Sequence, residues 1–165
     1  FNLGLSKKAF ELTQGFSDLK IGEDIDLMFR LWENGCNTQL IETAFVYHKR
    51  RSTFGQFYKQ TQAFGKARPF LNKRFPGTAR WTYWFPSLFS FGLLLALFTF
   101  VLGAPFGMLW YGIYYAVLFV HSSVLNKSLR VGALSLMSTT ILFFGFGLGF
   151  LMSQFSRRKS SHSFF

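Results

Sequence analysis

The chain has 165 residues, of which 50% are hydrophobic and 15% charged, and its formal net charge at pH 7 is +11. Soluble domains ordinarily carry about 25% charged residues, so the composition argues against a purely soluble protein. All seven acidic residues precede residue 43, whereas nine basic residues and no acid lie between Lys49 and Arg80. Residues 81–126 hold no acidic or basic side chain apart from His121. An acidic head, a basic segment and a membrane region are therefore predicted.

The first 50 residues are predicted to be an α/β unit. Phe1–Leu5 is apolar and compatible with a strand, and Ser6 is a candidate N-cap for a short helix ending near Gln14. A second helix is predicted within GEDIDLMFRLWENG, where apolar residues recur at Ile25, Met28, Phe29 and Trp32 and Gly35 ends the pattern. Thr38–Tyr47 is rich in β-branched and aromatic residues, which predicts a strand.

A basic amphipathic helix is predicted from Ser52 to about Leu71, within a linking region of residues 51–80. Aromatic residues and lysines alternate along it, a composition typical of helices that lie in a membrane interface against anionic lipids. A domain helix packed on a core of its own remains the alternative. The partner expected for this segment is accordingly a lipid bilayer that contains anionic lipids.

Three membrane spans are predicted within residues 81–156, at Tyr83–Gly103, Phe106–Leu125 and Val131–Phe155, followed by a basic polar tail at 157–165. Each is about 20 residues or longer, enough to cross a hydrocarbon core of about 30 Å. The excess of positive charge at residues 49–80 favours a cytoplasmic head in an inner or plasma membrane. Three spans would then place the basic tail outside, which conflicts with the same rule.

One polar pattern in the head carries a resemblance to a known family. The string GEDIDLMFRLWENG combines a Glu-Asp pair, a second Asp two residues later, an Arg and a Gly, and VYHKRRS follows the second predicted strand. With FNLGLSKKAF and the Gly15-Phe16 turn, this pattern resembles the C-terminal part of the catalytic domain of family 2 glycosyltransferases, inverting enzymes of the GT-A type. The resemblance covers about residues 1–75 and extends loosely to the end. Since the chain begins at Phe1, we expect it to be a C-terminal portion.

The resemblance implies roles for the acids of the second helix. Asp24 matches the general base that deprotonates the acceptor hydroxyl, and Glu23 matches a residue that orients the acceptor or the base. Asp26 and Arg30 are spaced as i, i+4 partners and are interpreted as structural. Without the resemblance, the same acids would be interpreted as charges that complement a helix N-terminus.

The resemblance also implies a donor and a metal. The expected donor is a nucleotide-sugar, and the expected cofactor is a divalent metal, Mg or Mn, to which His48 would contribute while the carboxylates of the metal motif lie outside this chain. Six residues are predicted to contact the diphosphate or the acceptor: Lys49, Arg50, Arg51, Gln60, Lys66 and Arg68. The first three are equally compatible with anchoring to a membrane. The Gln-x-x-Arg-Trp motif of processive relatives is missing here, which favours single additions over polymerisation.

The sequence thus predicts a membrane-bound glycosyltransferase that moves a sugar to a lipid-linked or cell-envelope glycan acceptor. A non-catalytic polytopic membrane protein with a cytoplasmic docking head remains the alternative. A transporter is disfavoured because His121 is the only ionisable candidate near neutral pH in the spans. No nucleic-acid partner is expected, because no binding-domain signature accompanies the basic segment.

Overall fold

The computed structural model describes residues 2–48 and 51–156, and within these ranges the chain folds into α-helices and short 3-10 turns. The helices are α1 (Lys7–Thr13), α2 (Glu23–Glu33), α3 (Phe54–Arg74), α4 (Phe85–Val101), α5 (Phe106–Leu125) and α6 (Leu129–Phe155). The 3-10 turns Pro76–Thr78 and Trp81–Trp84 connect α3 to α4.

The prediction of an α/β domain of the GT-A type is wrong, because residues 2–48 and 51–156 contain no strand or sheet. The segment 38–47 is exposed along its length, and a turn from Ile41 to Ala44 interrupts it. Its hydrogen bond to the first segment comes from a side chain, with Asn2 Nδ2 donating to Ala44 O at 3.1 Å. A strand requires a backbone ladder with a neighbour, and β-branched composition does not supply one.

The two helices of the head lie where their caps predict. Ser6 Oγ accepts a hydrogen bond from Ala9 N at 3.2 Å and begins α1. Gly35, with φ of 71°, ends α2 as the sequence predicts. The apolar residues whose spacing predicts this helix do not all lie on its buried face, however. Its buried residues are Asp26, Leu27 and Leu31, while Ile25 and Trp32 lie at the exposed surface.

Three helices are long and apolar enough to cross a membrane, as predicted: Trp81–Val101, Phe106–Leu125 and Leu129–Phe155. They contact one another through polar groups that satisfy hydrogen bonds within the apolar surroundings. Tyr111 Oη donates to Phe89 O at 2.9 Å, joining α5 to α4. Tyr115 Oη and Thr140 Oγ1 lie 2.7 Å apart, joining α5 to α6. Most of their remaining surface is apolar and exposed, as expected of helices that face lipid.

The helix α3 packs against α6 through glycines. A Cβ added at Gly65 of α3 would overlap Phe146 O of α6, and one at Gly149 would overlap Gln62 O of α3. Gly145 meets the Thr61 hydroxyl in the same way. The basic helix is therefore in direct backbone contact with a membrane helix, which small residues permit. The packing partner of α3 in the described structure is therefore α6, a helix of the membrane region.

Candidate functional site

The two predicted catalytic acids lie in the first turn of α2. Gly22 precedes them in the left-handed region with φ of 81°, and no side chain caps this helix start. Glu23 and Asp24 are half-buried, and in the described part of the chain neither carboxylate has an ion-pair or hydrogen-bond partner. Carboxylates in a first turn are stabilised by the helix dipole. Asp24 is consequently a carboxylate at a helix start that is partly accessible to solvent.

Asp26, two residues further on, has the opposite environment. Its side chain is fully buried and lies between two arginines. Arg30 Nε donates to Asp26 Oδ2 at 2.9 Å, and Arg74 Nη1 of α3 lies 2.9 Å from Asp26 Oδ1. Arg30 also donates to Gly15 O at 2.7 Å and to Thr13 O, at the end of α1. The predicted Asp26–Arg30 pair is therefore present, and it belongs to a network that joins α1, α2 and α3.

Apolar contacts support the same junction of α2 with α3. The ring of Phe29 meets the ring of Phe75 edge to face, with centroids 5.1 Å apart. A Cβ at Gly22 would lie 3.3 Å from Leu71 Cδ1 and 3.7 Å from Ala67 Cβ, so the start of α2 lies directly on α3. Glycine at this position allows both the close approach and the positive φ.

Arg68 of α3 forms a second junction, between α3 and the connection to α4. Its guanidinium lies 4.0 Å from the ring centroid of Tyr83 and donates to Thr78 O at 2.7 Å. Burial lowers the pKa of Arg68 below its ordinary value, the nearby Arg80 lowers it further, and Tyr83 acts in the opposite direction. Arg68 was predicted as a ligand contact. In the structure its guanidinium binds groups of its own chain.

The other predicted contacts are scattered. His48 and Arg51 are exposed, Gln60 is half-buried, Lys66 is exposed on α3, and Lys49 and Arg50 lie outside the described residues. Across residues 2–48 and 51–156 no group of three His, Cys, Asp or Glu side chains is close enough to hold a metal ion. These residues do not fit a divalent metal on their own.

Two open concavities of about 600 and 500 Å³ lie on α5 and its neighbours, and their linings are apolar. The lining residues of the first run from Ala116 to Leu125, and the second extends from Phe100 to Ala116. None of them belongs to α2 or α3. Neither of these two concavities includes the acidic helix start.

Sequence reasoning missed the two junctions that organise this site. Arg74 and Asp26 are 48 positions apart and Tyr83 is 15 positions from Arg68, and neither spacing is a local pattern. The one available signal was the position of Asp26, an acid that directly precedes an apolar residue, Leu27, within α2; both are buried.

A helical head fixed to three helices that are apolar enough to span a bilayer is typical of an integral membrane protein. The chain matches a family model described as glycosyl transferase family group 2 over residues 2–152. The match includes the acidic helix α2, the basic helix α3 and nearly all of α6. The chain therefore belongs to this family, and the resemblance found in the sequence is confirmed. No curated protein and no solved structure matches it.

Proposed function

We propose that this chain forms part of a membrane-bound enzyme that transfers a sugar from a nucleotide-sugar to a lipid-linked or cell-envelope glycan acceptor. The family supplies the reaction type, a glycosyl transfer. The proposal for the site rests on the position of Asp24. Its carboxylate is half-buried at a helix start and has no partner among the described residues.

The proposed chemistry is a single inverting displacement with Asp24 as general base. The acceptor hydroxyl oxygen forms a bond to the anomeric carbon while the bond from that carbon to the diphosphate oxygen breaks. Asp24 takes the hydroxyl proton, and the nucleoside diphosphate leaves with the electron pair of the broken bond. A positioned base of this kind contributes about 10² to 10⁴ in rate. Glu23 orients the acceptor or Asp24 itself.

Proximity to the membrane supports a lipid-linked acceptor. The helix that carries Asp24 contacts α3, and α3 contacts α6, the longest of the three apolar helices. Lys59 and Lys66 are exposed on α3, and at the membrane surface they would attract anionic headgroups. An acceptor whose reactive hydroxyl lies at headgroup height would then reach the base without leaving the bilayer.

The assignment of Asp24 is tested with Asp24→Asn in the complete membrane-reconstituted enzyme of which this chain forms part, because the carboxylates of the metal motif are expected outside this chain. The assay is the release of nucleoside diphosphate from a panel of nucleotide-sugars, with membrane lipid extract as the acceptor and Mg²⁺ or Mn²⁺ present. Because the amide cannot accept the proton, turnover should fall by about 10² to 10⁴. Asp18→Asn is the matched control, since Asp18 is an exposed Asp outside α2 and should keep near wild-type turnover. A folded Asp24→Asn protein with normal turnover would refute the proposed base.

The orientation of the head is tested by cysteine labelling in cells, after the single native cysteine, Cys36, is replaced by serine. Cysteines at positions 59 and 66 should react only when the cytoplasmic side is opened to the reagent. A cysteine at position 104, in the turn between α4 and α5, should react in intact cells. Labelling of position 59 or 66 from outside intact cells would contradict a cytoplasmic head.

A further inference from the structure

The base Asp24 and the buried Asp26 belong to the same turn of α2 but face different surroundings. Two residues correspond to a rotation of about 200° around a helix, so the two carboxylates point to nearly opposite sides. Asp24 is half-buried and has no partner within the described ranges, whereas Asp26 is fully buried between Arg30 and Arg74. What holds Asp26 therefore also sets the direction in which Asp24 points.

From this geometry, which presupposes the proposed function, we infer that the Asp26–Arg74 ion pair positions the catalytic base by fixing the rotation of α2 on α3. The contact between Arg74 Nη1 and Asp26 Oδ1 at 2.9 Å joins helices that are far apart in the sequence. Asp26 Oδ1 has no hydrogen-bond partner among the described residues, so the attraction is between charges. Arg74 lies in the last turn of α3.

The other contacts at this junction are apolar or involve a ring. Leu27 and Leu31 of α2 are buried. The ring of Phe29 meets Phe75 edge to face at 5.1 Å, and the guanidinium of Arg68 lies 5.8 Å from the Phe29 ring centroid. Arg30 donates hydrogen bonds to Asp26 and to the end of α1. Arg74 forms the ion pair that joins Asp26 of the base helix to α3, the helix that packs on α6.

A small rotation of α2 is sufficient to affect the reaction. A displacement of the base by about 1 Å lowers an enzymatic rate by about 10²-fold while it leaves substrate binding largely intact. Loss of the ion pair should consequently lower kcat, with little change in the KM of the nucleotide-sugar. A residue that only stabilises the fold would instead lower the amount of folded protein and leave the kcat of the folded fraction unchanged.

The test compares Arg74→Gln, Arg74→Lys and Lys73→Gln in the complete reconstituted enzyme, with kcat expressed per folded molecule. Arg74→Gln should lower kcat at least tenfold with KM within about threefold, and Arg74→Lys should recover much of that loss because it keeps the charge. Lys73→Gln is the matched control, since it removes a neighbouring exposed cation of the same helix turn. It should keep kcat within about twofold.

A structural measurement separates this inference from the proposed function. Spin labels at positions 33 of α2 and 59 of α3, both exposed, report the distance between the two helices in the Cys36→Ser background. The distance distribution should broaden in Arg74→Gln and stay narrow in Lys73→Gln. A folded Arg74→Gln protein with unchanged distances or unchanged kcat overturns the inference. Normal turnover in Asp24→Asn overturns the proposed base instead, whatever the distances show.

Discussion

The helix α3 joins the rest of the molecule through two sides of different character. Towards α6 the contact is between backbones, with Gly65 and Gly149 at the crossing. Towards α2 the contact is a charge pair between Arg74 and Asp26, assisted by the rings of Phe29 and Phe75. At Gly65 and Gly149 the first side leaves no room for a side chain, whereas the second depends on which side chains are present.

This difference indicates which changes each side should tolerate. The stability of a glycine crossing depends on added volume and not on charge, because an added side chain would overlap atoms of the main chain. A buried ion pair is sensitive to the removal of one partner, which leaves the other charge without compensation. The membrane region and the head are thus attached to α3 by contacts that can be disturbed one at a time.

The largest effect is expected at the charged side, from Asp26→Ala. Removal of one partner from a buried ion pair costs about 3–5 kcal/mol, because Arg30 and Arg74 would both lose their counter-charge. Thermal unfolding in detergent, followed by circular dichroism, measures the change. Asp18→Ala removes an exposed acid and is the control. If both variants unfold at the same temperature, the Asp26 network does not hold the head together.

The next effect is expected at the glycine side, from Gly65→Ala. The added Cβ would overlap Phe146 O of α6, and overpacking of this kind costs about 1–3 kcal/mol. Gly55→Ala is the matched control, because Gly55 lies in the same helix and a Cβ added there would meet nothing within 4 Å. That variant should gain about 0.5–1 kcal/mol from helix propensity alone. Equal stability of the two variants would show that α3 does not pack on α6.

A good part of the helical structure could be predicted from the sequence, because its signals are local. The cap at Ser6 and the glycine at Gly35 act on neighbouring residues, and each long apolar run is one continuous stretch of sequence. The span Phe106–Leu125 has its predicted ends. The segment 38–47 was wrongly predicted as a strand because its composition suits a strand, while a strand forms only where a second segment pairs with it.

The site was predictable only in part, because some of its contacts join residues that are far apart in the sequence. The resemblance identified Asp24 and Glu23 from a short motif, and their catalytic roles stay predictions. The partners of Asp26 depend on how α2 lies on α3, and a single sequence contains no signal for a contact between positions 26 and 74. Small residues such as those at 145–149 permit close helix contact, but that their partner is α3 appears only in the folded chain.

A smaller effect is expected where α3 continues into α4, from Arg68→Gln. This change removes the hydrogen bond to Thr78 O and the contact with the Tyr83 ring, which together are worth about 1–2 kcal/mol at a partly desolvated position. Arg80→Gln, at an exposed arginine, is the control and should have little effect. Limited proteolysis of the connection at residues 75–84 gives a second measurement, since cleavage should accelerate only in Arg68→Gln.

The smallest effect is expected from Lys7→Ala, at the other i, i+4 ion pair among the described residues. Lys7 Nζ and Glu11 Oε1 lie 3.8 Å apart, and their side chains are 90% and 63% exposed. Exposed pairs of this kind contribute about 0–1 kcal/mol, because water and salt screen the charges and two long side chains lose freedom.

Asp26 and Arg30 have the same spacing at 2.9 Å, with exposed fractions of 0% and 17%. Unfolding in low and high salt compares the two pairs: Lys7→Ala should shift the unfolding temperature by less than about 2 °C in either condition. A shift as large as that of Asp26→Ala would mean that ion pairing in general, rather than the burial of one carboxylate, holds the head on α3.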